Sequence, residues 1–393
     1  MLTSLGLIFL FGLLFGGLFY KLRLPPLLGM ILTGILLSPY MLNWIDPSIL
    51  NISSQLRQIA LVIILTRAGL SLDIEDLKKA GRPAILMCFV PAVFEITGSL
   101  LFAPHLFGLS ILEAALMGSV LAAVSPAIVV PRMIGLMEKG LGQKHHLPQI
   151  ILAGSSADDI FVLVLFTVFS GLLTDGNVSV FHLFEIPVSV LSGVLVGAGA
   201  GLIFTFLFKR IHIRDSAKVL LLLSISFFLV SAEQALKQVF PFSGLLAILS
   251  MGLILYKTYQ PLARRLSSKY NKLWVGAEIL LFVLVGATVD LHYAVASGLT
   301  AILFLFCVLS LRMLGVFVCL LGTPFSFKEK LFCMISYIPK ATVQAAIGAV
   351  PLSMGLSCGP IILTVAVISI LITAPLGAIG IDHFSEKLLA EKA

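Results

Sequence analysis

The chain has 393 residues, 59% of them hydrophobic and only 11% charged, with a mean hydropathy of +1.11. A water-soluble globular chain carries about a quarter charged residues, so this balance excludes a soluble enzyme or binding module and describes an all-α polytopic membrane protein. The net charge of +7 would suggest nucleic acid only if the basic residues clustered on a soluble face, and they do not, so no nucleic-acid partner is expected.

Hydrophobic length predicts about 13 transmembrane helices, over 2–20, 25–42, 55–72, 82–106, 111–136, 148–173, 181–208, 216–236, 242–257, 273–291, 294–322, 327–352 and 357–381. The first run lacks a basic leader and a small-residue cleavage site, which argues for a helix and against a signal peptide. All five cysteines lie in apolar runs without a CxxC, so they are expected to be small core residues and not metal ligands or disulfides. No cofactor is expected. Lys21, Arg23, Lys78, Lys79, Arg82, Lys139, Lys144, Lys209, Arg210, Arg214, Lys218, Lys257, Arg264, Arg265, Lys269, Lys272, Lys328 and Lys330 crowd one set of alternate loops, whereas the other set offers little beyond Lys237 and Arg57. The positive-inside rule then predicts a plasma (inner) membrane protein with its N-terminus outside and its C-terminus cytoplasmic. The basic run 264–272 is expected to be a loop obeying that rule, a lipid-binding patch being the lesser alternative.

The sixth span contains Ala153-Gly154-Ser155-Ser156-Ala157-Asp158-Asp159, two adjacent acids in an otherwise apolar stretch. An ionised Asp at the centre of a membrane helix costs roughly 2.5–3.5 kcal/mol on insertion scales. Packing alone does not call for such a pair. A structural pair satisfied by its neighbours is the bland alternative, but intramembrane acids are functional by default, which makes Asp158 and Asp159 a candidate site for a proton and a small hard cation such as Na+ or Li+. Ser155 lies one turn before Asp159 on the same face and is a candidate ligand, a bond to its own backbone being the equal alternative.

Internal symmetry follows. The stretch Leu27–Gly34 resembles Leu245–Gly252, Gly69–Asp73 resembles Gly286–Asp290, and the same offset takes Glu95 to Arg312 and, within four residues, Pro126 to Pro339. Spans 1–6 therefore repeat as spans 8–13, and a shift of seven spans inverts the second copy in the membrane. Pro126 and Pro131 in span 5 and Pro339 in span 12 predict two discontinuous helices crossing at the midplane, where Ser125, Thr342 and Lys340 would meet.

The segments Ile59–Leu70, Val124–Pro131, Ala153–Ile160 and Ile338–Ala346 together resemble those of a sodium/proton antiporter of the cation/proton antiporter superfamily, NHA-type branch, along nearly the whole chain. The resemblance implies an NhaA-like fold and a homodimer among membrane lipids. It implies a dimerisation scaffold from 1–81 and 177–292 and an ion-translocating core from 82–176 and 293–393. It further implies that Asp159 is the indispensable ion- and proton-binding acid, Asp158 its partner, and Glu95 with Arg312 a buried ion pair. Many relatives carry an acid in the first broken helix, where this chain has Ser125-Pro126, so the helix ends there need another source of compensation. Three core acids against two bases leave open whether Lys340 partners Asp158, and hence whether one proton or two move per cation.

Weaker candidates complete the inventory. Glu278 is a candidate for lining the cytoplasmic funnel, an interfacial or paired position being the equal alternative. Glu233, Arg67, Asp73 and Asp290 suggest interfacial or structural positions, and His145-His146 a solvated pair before the acid-bearing span, a pH sensor being the lesser alternative. An intramembrane aspartyl protease is excluded, because adjacent side chains on a helix point about 100° apart and form no shared-water dyad. A K+ or other monovalent cation/proton antiporter or efflux channel, and a sodium-coupled solute symporter, are the surviving alternatives. Such channels usually carry a nucleotide-binding domain, and no dinucleotide-binding glycine fingerprint is present.

Overall fold

A computed structural model describes residues 1–71, 81–142, 145–174, 180–211, 213–236, 240 and 242–389; Asp73, Lys78, Lys79, Lys144, Lys237 and Lys392 lie outside them. Every element among the described residues is helical. In hydrocarbon each backbone polar group needs an internal partner, which a helix supplies within one segment. In chain order the helices are α1 (Leu2–Lys21), α2 (Pro26–Leu37), α3 (Pro47–Asn51), α4 (Ser53–Gly69), α5 (Gly81–Met87), α6 (Val90–Phe107), α7 (Ile111–Leu121), α8 (Pro126–Glu138) and α9 (Leu147–Thr174). They continue as α10 (Val180–Arg210), α11 (Asp215–Leu236), α12 (Gly244–Thr258), α13 (Gln260–Ala287), α14 (Leu291–Cys319), α15 (Phe327–Ser336), α16 (Thr342–Ile347), α17 (Val350–Ser353) and α18 (Gly359–Leu389). Nine stretches among the described residues are long and apolar enough to cross a membrane, with shorter apolar helices at Pro26–Leu37, Gly244–Thr258 and Thr342–Ser353.

Four predicted spans differ in detail. Span 2 stops at Leu37 and not at 42, because Pro39 holds Ser38 extended (ψ 162°). Span 4 is interrupted between α5 and α6, where Pro91 opens the second helix. Pro131, grouped in the sequence with the break of span 5, lies inside α8, which runs on through it; the break is at Pro126 alone. The basic run 264–272 is not a loop. It belongs to α13, where Leu262, Ala263, Leu266 and Tyr270 are buried while Arg264, Arg265, Lys269 and Lys272 stay exposed, an amphipathic pattern hidden by the charge density.

The chain forms two compact units, 1–54 with 75–169 and 279–393, and 55–74 with 170–278. In the first, α6 packs along α14, with Gly98 against Val308 and Leu311 and Gly315 against Phe94. Gly34 of α2 lies against the Val283 carbonyl of α13, and Gly286 against the Ile31 carbonyl of α2. In the second, α10 presents Gly193, Gly197 and Gly201 to Ser243, which caps α12, and to Ala247 and Met251 within it, the small-residue spacing by which membrane helices approach closely. There Gly69 of α4 also meets Gly252 of α12 backbone to backbone. Gly34 and Gly252, like Gly69 and Gly286, are the residues paired by the internal repeat, so each copy's second span packs through glycine on the other copy's third.

Candidate functional site

The first unit contains two broken helices. Span 5 unwinds between α7 and α8 at 122–125, and span 12 between α15 and α16 at 337–341. Proline causes both: Pro126 sits at the first position of α8, where no N–H is needed, and Pro339 keeps Ile338 out of a continued helix. The breaks are stitched together. The Ser125 N–H donates to the Pro339 carbonyl at 2.8 Å, and Gln344 Nε2 donates to Leu121 O and Ala123 O at 3.1 and 2.8 Å. The Lys340 N–H donates to Thr373 Oγ1 of α18 at 2.9 Å.

Around this crossing lies a buried chain of charge. Lys340 Nζ is 2.6 Å from Glu95 Oε1, an ion pair outside hydrogen-bonding angles, and donates to Leu121 O at 2.6 Å. Glu95 Oε2 accepts from Arg312 Nη1 at 2.7 Å, and Asp158 Oδ2 accepts from Arg312 Nη2 at 3.0 Å. Arg312 also donates Nε to Tyr337 O at 2.9 Å and Nη1 to Ala122 O. All four charged side chains are buried. Two cations and two anions thus close on themselves, as buried charges require. The free carbonyls ending α7 face Lys340, Arg312 and Gln344, and the Val124 N–H entering α8 donates to Asp158 Oδ2 at 2.9 Å. These groups compensate the helix ends where Ser125-Pro126 provides no acid.

The sequence left the partner of Asp158 open. In the structure Arg312 holds it, and Lys340 lies on Glu95 instead. Asp159 is half-buried, with Oδ1 closed from solvent and without a hydrogen bond, and it pairs with no base among the described residues. Ser125 Oγ and Thr342 Oγ1 are likewise buried and unpartnered, whereas the Ser155 hydroxyl donates to Leu152 O at 3.2 Å, the backbone alternative. Elsewhere, Glu233 accepts from the Gly244 N–H at 3.0 Å, and Glu278 acts electrostatically on Arg67. His145 lies 5.6 Å from the Phe325 ring.

A family model described as "Sodium/hydrogen exchanger, transmembrane" matches residues 6–387. The chain belongs to that family. Among similar proteins, the sodium/hydrogen exchanger 9B2 of Homo sapiens is 34% identical over 391 residues, covering 93% of this chain and 70% of the relative. That of Mus musculus is 33% identical over 382 residues, covering 93% and 69%. The sodium proton antiporter MjNhaP1 of Methanocaldococcus jannaschii, solved at pH 8, superposes with a TM-score of 0.85 at 23% identity over 98% of each chain, so this exchanger has the same fold.

Three features of the exchanger escaped the sequence reading. Gln344 lies in the segment Ile338–Ala346, whose sequence does not reveal its three hydrogen bonds across the breaks. Tyr337 lies in the break, its ring 5.6 Å from the Arg312 guanidinium and its hydroxyl against Gly154 of α9. Matching capping boxes, Ser110 with Glu113 and Ser326 with Glu329, open the first half of each broken helix; the Ser-x-x-Glu pattern was legible before both.

Proposed function

We propose that this multi-pass membrane exchanger trades Na+ or Li+ for H+ at Asp159, one for one, by alternating access. The observation that carries the proposal is the charge count: Lys340, Glu95, Arg312 and Asp158 neutralise one another, and Asp159 is left over. An ionised Asp159 gives the site one net negative charge. Either a proton or a monovalent cation cancels it, and the uncancelled site resists passage through the apolar barrier. The site takes one or the other, which is exchange. The unpartnered hydroxyls of Ser125 and Thr342 supply oxygen ligands suited to a small hard cation, with Ser155 keeping lone pairs free while it donates to Leu152 O.

The moving body in this proposal is built from 82–176 and 293–393, against a scaffold from 1–81 and 177–292 that also forms the homodimer. The compact unit containing 75–169 and 279–393 supports the core; 1–54 shares that unit through Gly34 on Val283. The loop charges support an external N-terminus in the plasma (inner) membrane.

The test is cation-driven proton flux in proteoliposomes, wild type beside Asp159→Asn, with Na+, Li+ and K+ in turn. Na+ and Li+ should dissipate a trapped pH gradient in the wild type, and Asp159→Asn should abolish this. Full activity in the variant, or flux with K+ alone, would sink the assignment.

A further inference from the structure

Gln344 is buried, and every hydrogen-bonding group of its carboxamide is used. Its two N–H groups go to Leu121 O and Ala123 O, and its Oε1 accepts the Ala341 N–H at 2.8 Å. It therefore joins the carbonyl end of one broken helix to the N–H end of the other. Only a neutral carboxamide donates twice and accepts once at this place. An ionised Glu would confront two carbonyls with a third acceptor, and Met would satisfy none of the three groups.

Leu121 O is the critical acceptor. Its two lone pairs receive Lys340 Nζ at 2.6 Å and Gln344 Nε2 at 3.1 Å. With both filled and the break fixed by Ala123 O and Ala341 N, the Lys340 ammonium is confined between Leu121 O and Glu95. Asp158 Oδ1, buried and unpartnered, is the acceptor that a displaced ammonium would seek. Were Lys340 to move there, Glu95 would lose a cation and the neutral set of four would become titratable.

We propose that Gln344 is a positioning residue that fixes the ion stoichiometry: by holding Lys340 on Glu95 it confines proton exchange to Asp159. This rests on Asp159 being the exchanging acid. Releasing Lys340 lets a second carboxyl of the set take up and give off a proton for each cation carried, and a two-for-one exchange moves net charge.

The experiment uses full-length wild type, Gln344→Glu and Gln344→Met. Two quantities are read: Na+-driven proton flux at zero and at imposed membrane potential, and protons released per Na+ bound by the monodisperse protein in detergent. The second needs no turnover, so a transport-dead variant still reports, and Gln344→Met serves if Gln344→Glu does not fold. The wild type should be indifferent to potential and release one proton per Na+. Both variants should release more than one and respond to a potential of about 100 mV by roughly threefold or more. A role confined to structure predicts slower flux or lower stability, with one proton per Na+ and no response to potential; that result overturns the proposal. A wild type that already responds to potential overturns it together with the one-for-one charge count, whereas an indifferent wild type with unchanged variants overturns the role of Gln344 alone.

Discussion

The two broken helices occupy equivalent places in the internal repeat and do opposite chemistry. The break between α7 and α8 presents backbone: the carbonyls of Leu121, Ala122 and Ala123 accept, and the Val124 and Ser125 N–H groups donate. The break between α15 and α16 also uses its backbone, at Tyr337 O, Pro339 O and the Lys340 and Ala341 N–H groups, but it adds side chains, with Lys340 and, just beyond it, Gln344 both reaching into the first break. The same division holds for Glu95 and Arg312, equivalent positions with opposite charge. Residues related by a two-fold meet where they lie near its axis, so equal charges there would repel and opposite ones pair. Symmetry thus supplies the crossing, and departure from symmetry pairs Glu95 and Asp158 with bases while leaving Asp159 without one among the described residues.

The severest way to break this contrast is Arg312→Gln. Arg312 joins Glu95, Asp158, Ala122 O and Tyr337 O, and its loss leaves Lys340 alone to balance Glu95 and Asp158. Removing one partner of a buried ion pair costs about 3–5 kcal/mol, so thermal unfolding in detergent should move sharply down and exchange should vanish. The exchanged pair, Glu95→Arg with Arg312→Glu, sharpens the point. It restores opposite charges at the axis and should recover stability in part. Transport should stay lost, because the guanidinium then approaches from α6 and cannot keep its Tyr337 O and Asp158 contacts. Equal transport in the exchanged pair would mean that the asymmetry of the two breaks is irrelevant.

Where the repeat is obeyed instead of broken, matched effects are expected. Gly34→Ala and Gly252→Ala each place a Cβ against backbone, of α13 in one unit and of α4 in the other. Overpacking of this kind costs typically about 1–3 kcal/mol, and the two losses should be similar. Gly199→Ala, on α10 with no heavy atom near its Cβ, should be neutral or slightly stabilising in the same melting assay. A large loss at one of the first two positions and none at the other would show that the repeat matches in sequence but not in packing.

Much of this was legible in the residues. Apolar length located the helices, the acids in α9 declared themselves by their insertion cost, and the family resemblance implied a Glu95–Arg312 pair whose atoms lie 2.7 Å apart. What the sequence concealed was competition for partners. Two bases and three acids admit several pairings, and the choice depends on reach: Arg312, with its wide fork, spans Glu95 and Asp158, while the shorter contact of Lys340 stops at Glu95 and Leu121 O. Proline was ambiguous for a similar reason. Pro126 opens a helix and Pro131 lies within the same helix, a distinction set by which backbone groups have partners and not by composition. The α13 basic face was missed because nine residues of high charge density resemble a loop until Leu262, Leu266 and Tyr270 are seen to share a buried side.

The smallest expected effects sit at the entrances of the two broken helices, where the capping boxes are nearly identical. Ser110 Oγ accepts from the Glu113 N–H at 3.3 Å and Ser326 Oγ from the Glu329 N–H at 3.3 Å, while the glutamates accept back from the serine N–H groups at 2.9 and 2.7 Å. Ser110→Ala and Ser326→Ala should therefore cost about 1 kcal/mol apiece, without changing the cation dependence of exchange. The glutamates should part company. Glu113 Oε1 also accepts from Ser357 Oγ at 3.0 Å, tying α7 to the segment that leads into α18, and no such tie is seen at Glu329 among the described residues. Glu113→Ala should then destabilise more than Glu329→Ala, and the excess should disappear when Ser357→Ala is introduced first. If the excess survives that background, the difference between the two entrances lies in the helices themselves and not in the tether.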